Sequence, residues 1–492
     1  MHPAAVSFDF ARWVFKMKRF RVLFIQGVCL AALAGCMVGP DFRKPQTTLP
    51  PAWHGMAPAD FPTSVVTSGG AEMVQWWKSF DDPVLTSLVE RAVRSNLDVK
   101  LAQARIRQAR ASRGVAFAGL WPEIDASGAY SYNRASATSS TVSSSAGPYN
   151  LYQAGLDAAW ELDFFGGLRR NVEAADADLE AAVEDRRDVL VTLLGDVATN
   201  YVNLRGYQQQ IEIARGNVKS QQHTAEITRK RYEAGFVSAL DMANARSQVA
   251  LTESQIPVFE SAAHGAIYAL SVLLGQEPAA LVEELSTTAS IPPVPPGIPV
   301  GLPSELLRRR PDIRRAEAQI HAATARVGVA TADLFPKFSL TGSFGFSSTD
   351  LNAFTRWNAR NWSFGPSASW PVFDAGRIRW NIEVQNALEE QALLTYRKAV
   401  LTALQDVETA LIAYAKEQDH HKTLAEEVEQ NQKAFDLSMK LYVVGKGDFL
   451  NVLIAERALY TSQDALVQSV RNLSGDLVAL YKALGGGWED SS

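Results

Sequence analysis

The sequence predicts an α+β membrane protein built from one supersecondary unit used twice, with four transmembrane β-strands and very long α-helices in each chain. Three observations carry this reading. First, Trp121-Pro122 recurs 214 residues later as Phe335-Pro336; at that shift Asp98, Ile106, Gly114, Leu120 and Gly128 meet Asp312, Ile320, Gly328, Leu334 and Gly342. Past the next loop the shift is 210, where Trp160, Gly166, Tyr232, Gly235 and Gly275 meet Trp370, Gly376, Tyr442, Gly445 and Gly485. So long a constant offset means a duplicated unit, not a solenoid of many short repeats. Second, the segments following each of those prolines alternate with period two. Third, two helical runs of about 69 residues contain no proline, and at ~1.5 Å per residue each makes a rod of roughly 100 Å.

The elements follow in chain order. At 492 residues the ordinary expectation is two to four domains, although two copies can share one body. Residues 1–35 read as a signal peptide: Lys16, Lys18, Arg19 and Arg21 precede the apolar run 22–34, which closes on Leu33-Ala34-Gly35-Cys36. Cys36 after Leu-Ala-Gly resembles the bacterial lipobox, which makes it the lipidated first residue of the mature chain, and Met17 is then the better start. Its neighbour Met37, not being Asp, permits sorting to the outer membrane by the same resemblance. Cleavage there leaves one cysteine and no internal disulfide. It also removes a net +4 from a chain of net charge −5, so the mature protein is mildly acidic and unsuited to nucleic acid. No run of about 18 apolar residues follows, so no transmembrane helix is expected after Cys36.

Residues 36–75, with Pro40, Pro45, Pro50 and Pro51, read as a lipid-anchored extended arm. Repeat 1 spans 76–290: a leading helix over 84–119, strands over about 123–134 and 151–164, a long helix over 166–234 and a return helix over 239–275. The Pro-rich stretch 291–303 links the halves. Repeat 2 spans 304–485, with a leading helix over 303–334, strands over about 337–348 and 361–372, a long helix over 376–444 and a return helix over 449–484; 486–492 is a tail. Gly235 and Gly445 end the long helices where a left-handed cap is expected. Each strand is apolar on one side and polar on the other, as in Phe338, Leu340, Gly342, Phe344 and Phe346 against Lys337, Ser339, Thr341, Ser343 and Ser347. Aromatics gather toward strand ends (Tyr130, Tyr132, Trp160, Phe344, Phe346, Trp362, Trp370), as at the two interfaces of a membrane barrel. A soluble sheet burying that face is the competing account.

Four strands cannot close a barrel, and an open edge in lipid leaves backbone groups unpaired at several kcal/mol each. Two chains supply eight strands with a side-chain-filled interior, and three supply twelve with a usable pore. The sequence therefore asks for a homotrimer, with long helices forming a coiled-coil tunnel continuous with the strand barrel.

The order and spacing of Gly39-Pro40-Asp41-Phe42, Trp76-Trp77-Lys78-Ser79-Phe80-Asp81-Asp82-Pro83, Leu307-Arg308-Arg309-Arg310-Pro311-Asp312-Ile313-Arg314-Arg315-Ala316-Glu317, Leu334-Phe335-Pro336, Pro371-Val372-Phe373-Asp374-Ala375-Gly376-Arg377 and Leu480-Tyr481-Lys482-Ala483-Leu484-Gly485-Gly486-Gly487-Trp488 resemble the TolC-like outer-membrane efflux factors, in their NodT/OprM-like lipoprotein branch. The resemblance implies a passive trimeric export duct in the outer membrane of a Gram-negative bacterium. A periplasmic adaptor (membrane fusion) protein and an inner-membrane transporter of the resistance-nodulation-division type would drive it, and the pump would choose the substrate. It places a periplasmic gate at the turns around Tyr232 to Asp241 and Tyr442 to Asn451. There Tyr442 and Asp241 match a pair linking neighbouring hairpins, while Leu450 and Arg457 match a narrowing leucine and a gate arginine. The chain departs from the pattern at Ile454 and Asn451, where the family has acids. Asp448 from the adjoining turn could restore a carboxylate ring; otherwise Leu450 and Ile454 make an apolar one, and Asp448 is a turn or cap residue.

No enzymatic chemistry is indicated, and no cofactor is expected. His420 and His421 are adjacent on a helix and point in different directions, and metal or phosphate motifs do not occur. The basic run of Arg308, Arg309, Arg310, Arg314 and Arg315 reads as helix-surface salt bridges near the linker. A periplasmic structural lipoprotein scaffold without a pore is the alternative function.

Overall fold

The computed structural model describes residues 37–54, 73–134, 147–295 and 303–488. The expected signal segment, Cys36, much of the arm, the Ser/Thr tract of the first strand loop, part of the Pro-rich linker and the end of the tail lie outside the described residues. Within them a 3₁₀ turn, Trp76–Phe80, is followed by α1 (Pro83–Ser95), α2 (Leu97–Ala118), β1 (Glu123–Asn133), β2 (Tyr149–Leu162), α3 (Gly167–Glu233), α4 (Ala239–Leu273) and a short α5 (Val282–Leu285). Then come α6 (Pro303–Arg309), α7 (Pro311–Ala332), β3 (Lys337–Ser348), β4 (Arg360–Ser369), α8 (Arg377–Val443) and α9 (Phe449–Ala483). The duplication holds to the residue: α2 and α7 start 214 apart, while α3 and α8, like α4 and α9, start 210 apart.

The chain divides into two compact units. The first, residues 37–45, 107–180 and 317–394 so far as described, holds the sheet. Its strands run in the order β1-β2-β3-β4, all antiparallel. The register sets even-numbered residues opposite even-numbered ones in every ladder: Leu156 lies between Ala126 and Phe344, and Phe344 between Leu156 and Trp362. Because paired residues share a face, the four strands present one continuous apolar face. Its large side chains are exposed in the single chain, among them Ile124, Tyr130, Leu156, Phe344, Trp362 and Phe364. The other face carries Asp125 opposite Asp157 and Ser343 opposite Ser363. Aromatics sit at both ends of that apolar face. Trp160 and Trp370 occupy the end nearer the helices, where each indole N–H donates to a carbonyl just past a leading helix, Leu120 O at 2.9 Å and Leu334 O at 3.0 Å. Tyr130, Tyr132, Phe346 and Trp362 lie toward the loops. From Trp160 to Tyr152 along β2 the strand rise of ~3.3 Å gives roughly 26 Å of strand, or about 20 Å of height at a barrel tilt of about 40°, most of the apolar band of an outer-membrane barrel.

An N-terminal strap is clamped to this unit. Val38 N–H donates to Phe165 O at 3.1 Å, and buried Arg170 pairs with Asp41 and with Glu173 at 2.8 Å. The Phe42 ring stacks on His321 at 4.5 Å, and Lys44 pairs with Glu317 at 2.8 Å.

The second unit, residues 46–106, 181–316 and 395–488 so far as described, is helical. Here the structure corrects the leading helices, which are each broken. Asn96 leaves the helical region, and its Oδ1 accepts from the N–H groups of Asp98 and Val99 while Nδ2 donates to Leu273 O. It therefore caps α2 and ties it to α4. In repeat 2 the break falls at Arg310-Pro311, since proline disfavours helical geometry in the residue before it and is favoured at a helix start. The arginines near the linker form the expected salt bridges, Arg309 to Glu305 and Arg315 to Asp185 and Asp188, but not all at the surface: Arg310 is mostly buried, pairing with Asp312 (2.8 Å) and Asp406 (3.0 Å), and Arg314 reaches the fully buried Glu184 (3.0 Å). Strand ends shift as well, leaving Phe164 past β2 and Val372 past β4, beyond the Trp370-Pro371 step.

Contrary to the sequence expectation, α4 is long and apolar enough to cross a membrane by length and composition. Along it Ala263, Ala266, Ile267 and Leu270 are buried in the protein. Asn96→Ala should cost about 1–2 kcal/mol, by removing a cap and leaving Leu273 O unpaired. Thermal unfolding of the detergent-solubilised protein checks this, and an unchanged midpoint would refute the capping role.

Candidate functional site: the paired helix tips

The long helices end in matching turns. Gly235 and Gly445 take left-handed φ values of +78° and +75°. Gly235 N–H donates to Tyr232 O and Phe236 N–H to Arg231 O; Gly445 N–H donates to Tyr442 O and Lys446 N–H to Leu441 O, all within 3.0 Å. This closes the last turn by a glycine cap that a β-carbon would strain. The return helices then start differently. At α4, Ser238 Oγ accepts from Asp241 N–H (3.2 Å), and the Asp241 carboxylate accepts from Ser238 N–H (3.0 Å), a complete capping box. At α9 the equivalent N-cap is Asp448, whose side chain makes no capping bond, and Asn451 replaces the carboxylate that a box needs.

Tyr442 is 1 % exposed, whereas its repeat counterpart Tyr232 is 40 % exposed. Tyr442 lies in an apolar cluster with Ala245, Phe449, Val452 and Leu453. Its hydroxyl donates to Thr228 Oγ1 at 3.2 Å, the Arg231 guanidinium lies 4.6 Å from its ring centre, and Arg231 also donates to its carbonyl. The Tyr442–Asp241 pairing that the resemblance implied is not made within the chain: Asp241 is committed to Ser238 and Tyr442 to Thr228. Leu450 and Ile454, each 58 % exposed, share a face of α9 with the exposed Arg457, while Phe449, Val452, Leu453 and Glu456 are buried on the opposite face. Arg457 Nε donates to Gln248 Oε1 on α4 at 2.7 Å. The structure thus gathers the expected tip residues on two hairpins and adds Thr228, Arg231, Gln248 and Glu456, which sequence reading passed over. A signal existed for Glu456: it breaks the apolar series Val452, Leu453, Leu459, and its repeat counterpart is Arg246.

The geometry presents two unlike hairpins at matching positions of a duplicated fold. The sequence profile of the outer membrane efflux proteins matches residues 88–276 and 302–486, one stretch in each repeat. The chain belongs to the outer membrane efflux protein family. This efflux protein is 39 % identical over 428 residues to the pyoverdine export outer membrane protein OpmQ of Pseudomonas aeruginosa, covering 86 % of this chain and 89 % of the relative. It is 33 % identical over 459 residues to nodulation protein T of Rhizobium leguminosarum bv. trifolii, covering 93 % and 95 %. Among solved structures, that of the outer-membrane channel OprN superposes with a TM-score of 0.86 at 36 % identity, covering 92 % of this chain and all of that one. The family is one of transport channels of the Gram-negative outer membrane and not a family of enzymes.

Proposed function

We propose that three copies of this efflux protein close a twelve-stranded barrel whose long helices form a tunnel, making a passive export duct for small toxic molecules. The observation that carries this is the four-stranded sheet: one continuous apolar face, a polar face, and outer edges of β1 and β4 that pair with no strand among the described residues. Threefold repetition pairs each β4 with the next β1 and removes every edge. A periplasmic adaptor and an inner-membrane transporter of the resistance-nodulation-division type supply the drive, and the pump selects the cargo. Lipidation at Cys36 anchors the chain; in support, Met37 packs on Gly166 at the foot of α3 and Val38 bonds Phe165. The boundaries of signal, arm, two repeats, linker and tail follow this plan. Closure is assigned to Tyr232, Asp241, Tyr442, Asp448, Leu450, Ile454 and Arg457 at the tips, with Leu450 and Ile454 as an apolar constriction.

Bilayer recordings on the purified protein test the duct. Wild type should conduct and migrate as a heat-resistant trimer, and Cys36→Ser should conduct equally while losing its acyl group. If neither form conducts or needs detergent for extraction, the channel reading fails and a pore-free lipoprotein scaffold takes its place.

A further inference from the structure

Glu456 is the unexplained group of the tip bundle. It sits on α9 directly beside Arg457, is 6 % exposed, and has one hydrogen bond, from Thr224 Oγ1 of α3 at 3.4 Å. The two helices that bond this part of α9, α3 through Thr224 and α4 through Gln248, bury neutral polar groups. On α3, one turn from Thr224, Gln221 is buried with both amide atoms unpartnered; on α4, Thr252 Oγ1 is buried and unpartnered, one turn from Gln248. The charges on neighbouring turns are engaged elsewhere or turned to solvent. Glu226 of α3 pairs with Arg229 and Lys230, Glu253 of α4 accepts from Gln222, Lys433 of α8 pairs with Glu429, and Arg457 donates to Gln248. His223 of α3 and Arg246 of α4 are exposed. Among the described residues no cation pairs with Glu456, and a buried unpaired carboxylate is costly.

We propose that Glu456 is a pH-sensitive latch of the tip: protonated, it lets α9 pack against α3; on losing its proton to solvent, it drives the two apart and favours opening. The latch rests on the channel reading for its consequence but not for its chemistry. Burial pushes the Glu456 carboxyl up to about 7 from its ordinary 4.5, the Thr224 bond opposing the rise. The sign follows. The closed packing keeps its full stability below the ordinary value, loses it as pH rises toward 7, and has lost it above. The periplasm, which exchanges small ions with the medium, spans that window.

Two readouts separate the latch from the channel. In bilayers, wild-type open probability should rise roughly threefold or more between pH 6 and pH 8, and Glu456→Gln should stay low and flat. Thr224→Val, which removes the bond favouring the ionised form, should move the midpoint to higher pH. In hydrogen–deuterium exchange on the detergent-solubilised wild-type and Glu456→Gln proteins, the excess uptake of wild type over residues 449–462 should build as pH rises from the ordinary carboxylate range toward 7 and level off above it. Identical pH responses in wild type and Glu456→Gln, in either experiment, would overturn the latch. Absence of any conductance would sink the channel reading instead, leaving the exchange measurement to decide on Glu456.

Discussion

Gly345→Val should abolish the assembled trimer. Gly345 lies opposite Gly155 in the ladder between β2 and β3, the one join between the strands of the two repeats. A β-carbon on Gly345 would stand 2.6 Å from Ala154 O and 2.9 Å from Gly155 Cα, both backbone atoms of the paired strand, and 3.2 Å from Asn361 Oδ1. A flexible side chain could yield to such contacts; a paired strand yields only by separating. Separation opens backbone groups that in lipid cost several kcal/mol each, so the loss is all or none rather than graded. Gly365→Ala, on the same face and with nothing within 4 Å of its added carbon, is the matched control. Outer-membrane fractions should show a heat-resistant oligomer for Gly365→Ala and for wild type and none for Gly345→Val. A normal oligomer in Gly345→Val would mean that β2 and β3 are not joined as described.

That join also marks where the sequence was readable and where it was not. Period-two alternation shows because each strand meets two different media, so apolar and polar residues cannot trade places along it. Glycine caps show because a left-handed residue restricts side-chain choice at one position, as at Gly235 and Gly445. The break at Arg310-Pro311 had a local signal in Pro311 that a strong helical period on both sides masked. The break at Asn96 had less, since asparagine is tolerated in helices and its capping role depends on Leu273, 177 residues away. The burial of Arg310 and Glu184 is a tertiary matter too, invisible to a reading that counts charges along one helix. At the tips, likeness to relatives directed attention to the turns around Tyr232 to Asp241 and Tyr442 to Asn451, and the Tyr442–Asp241 link it implied between neighbouring hairpins is not made within the single chain. Local competition explains the difference: Asp241 stands three residues past Ser238, where reciprocal capping is available without any distant contact.

Tyr442→Ala should open the tip, with a large rise in single-channel open probability and in antibiotic permeability of cells carrying it. Tyr442 joins three kinds of contact: its ring packs against Phe449 at 5.7 Å, lies under Arg231, and carries the hydroxyl bonded to Thr228. Truncating a buried aromatic to alanine costs about 3–5 kcal/mol. Tyr442→Phe keeps the ring and loses only the hydroxyl bond, about 0.5–1.5 kcal/mol, so its effect should be small beside that of alanine. Asp241→Ala removes the capping box for about 1 kcal/mol and loosens the start of α4 without touching Tyr442. The Asp241 cap is local to the first hairpin, whereas the Tyr442 hydroxyl ties the second hairpin to Thr228 of α3; the two share no hydrogen bond, so in a double-mutant cycle Asp241→Ala and Tyr442→Phe should add to within ~0.5 kcal/mol. A coupling well above that would mean the carboxylate and the phenol meet in the assembled tip, and the separate commitments to Ser238 and Thr228 would then not describe the closed state. Additivity instead makes the gate a packing device, in which the apolar cluster around Tyr442 holds the second hairpin against the first and the capping box fixes the start of α4.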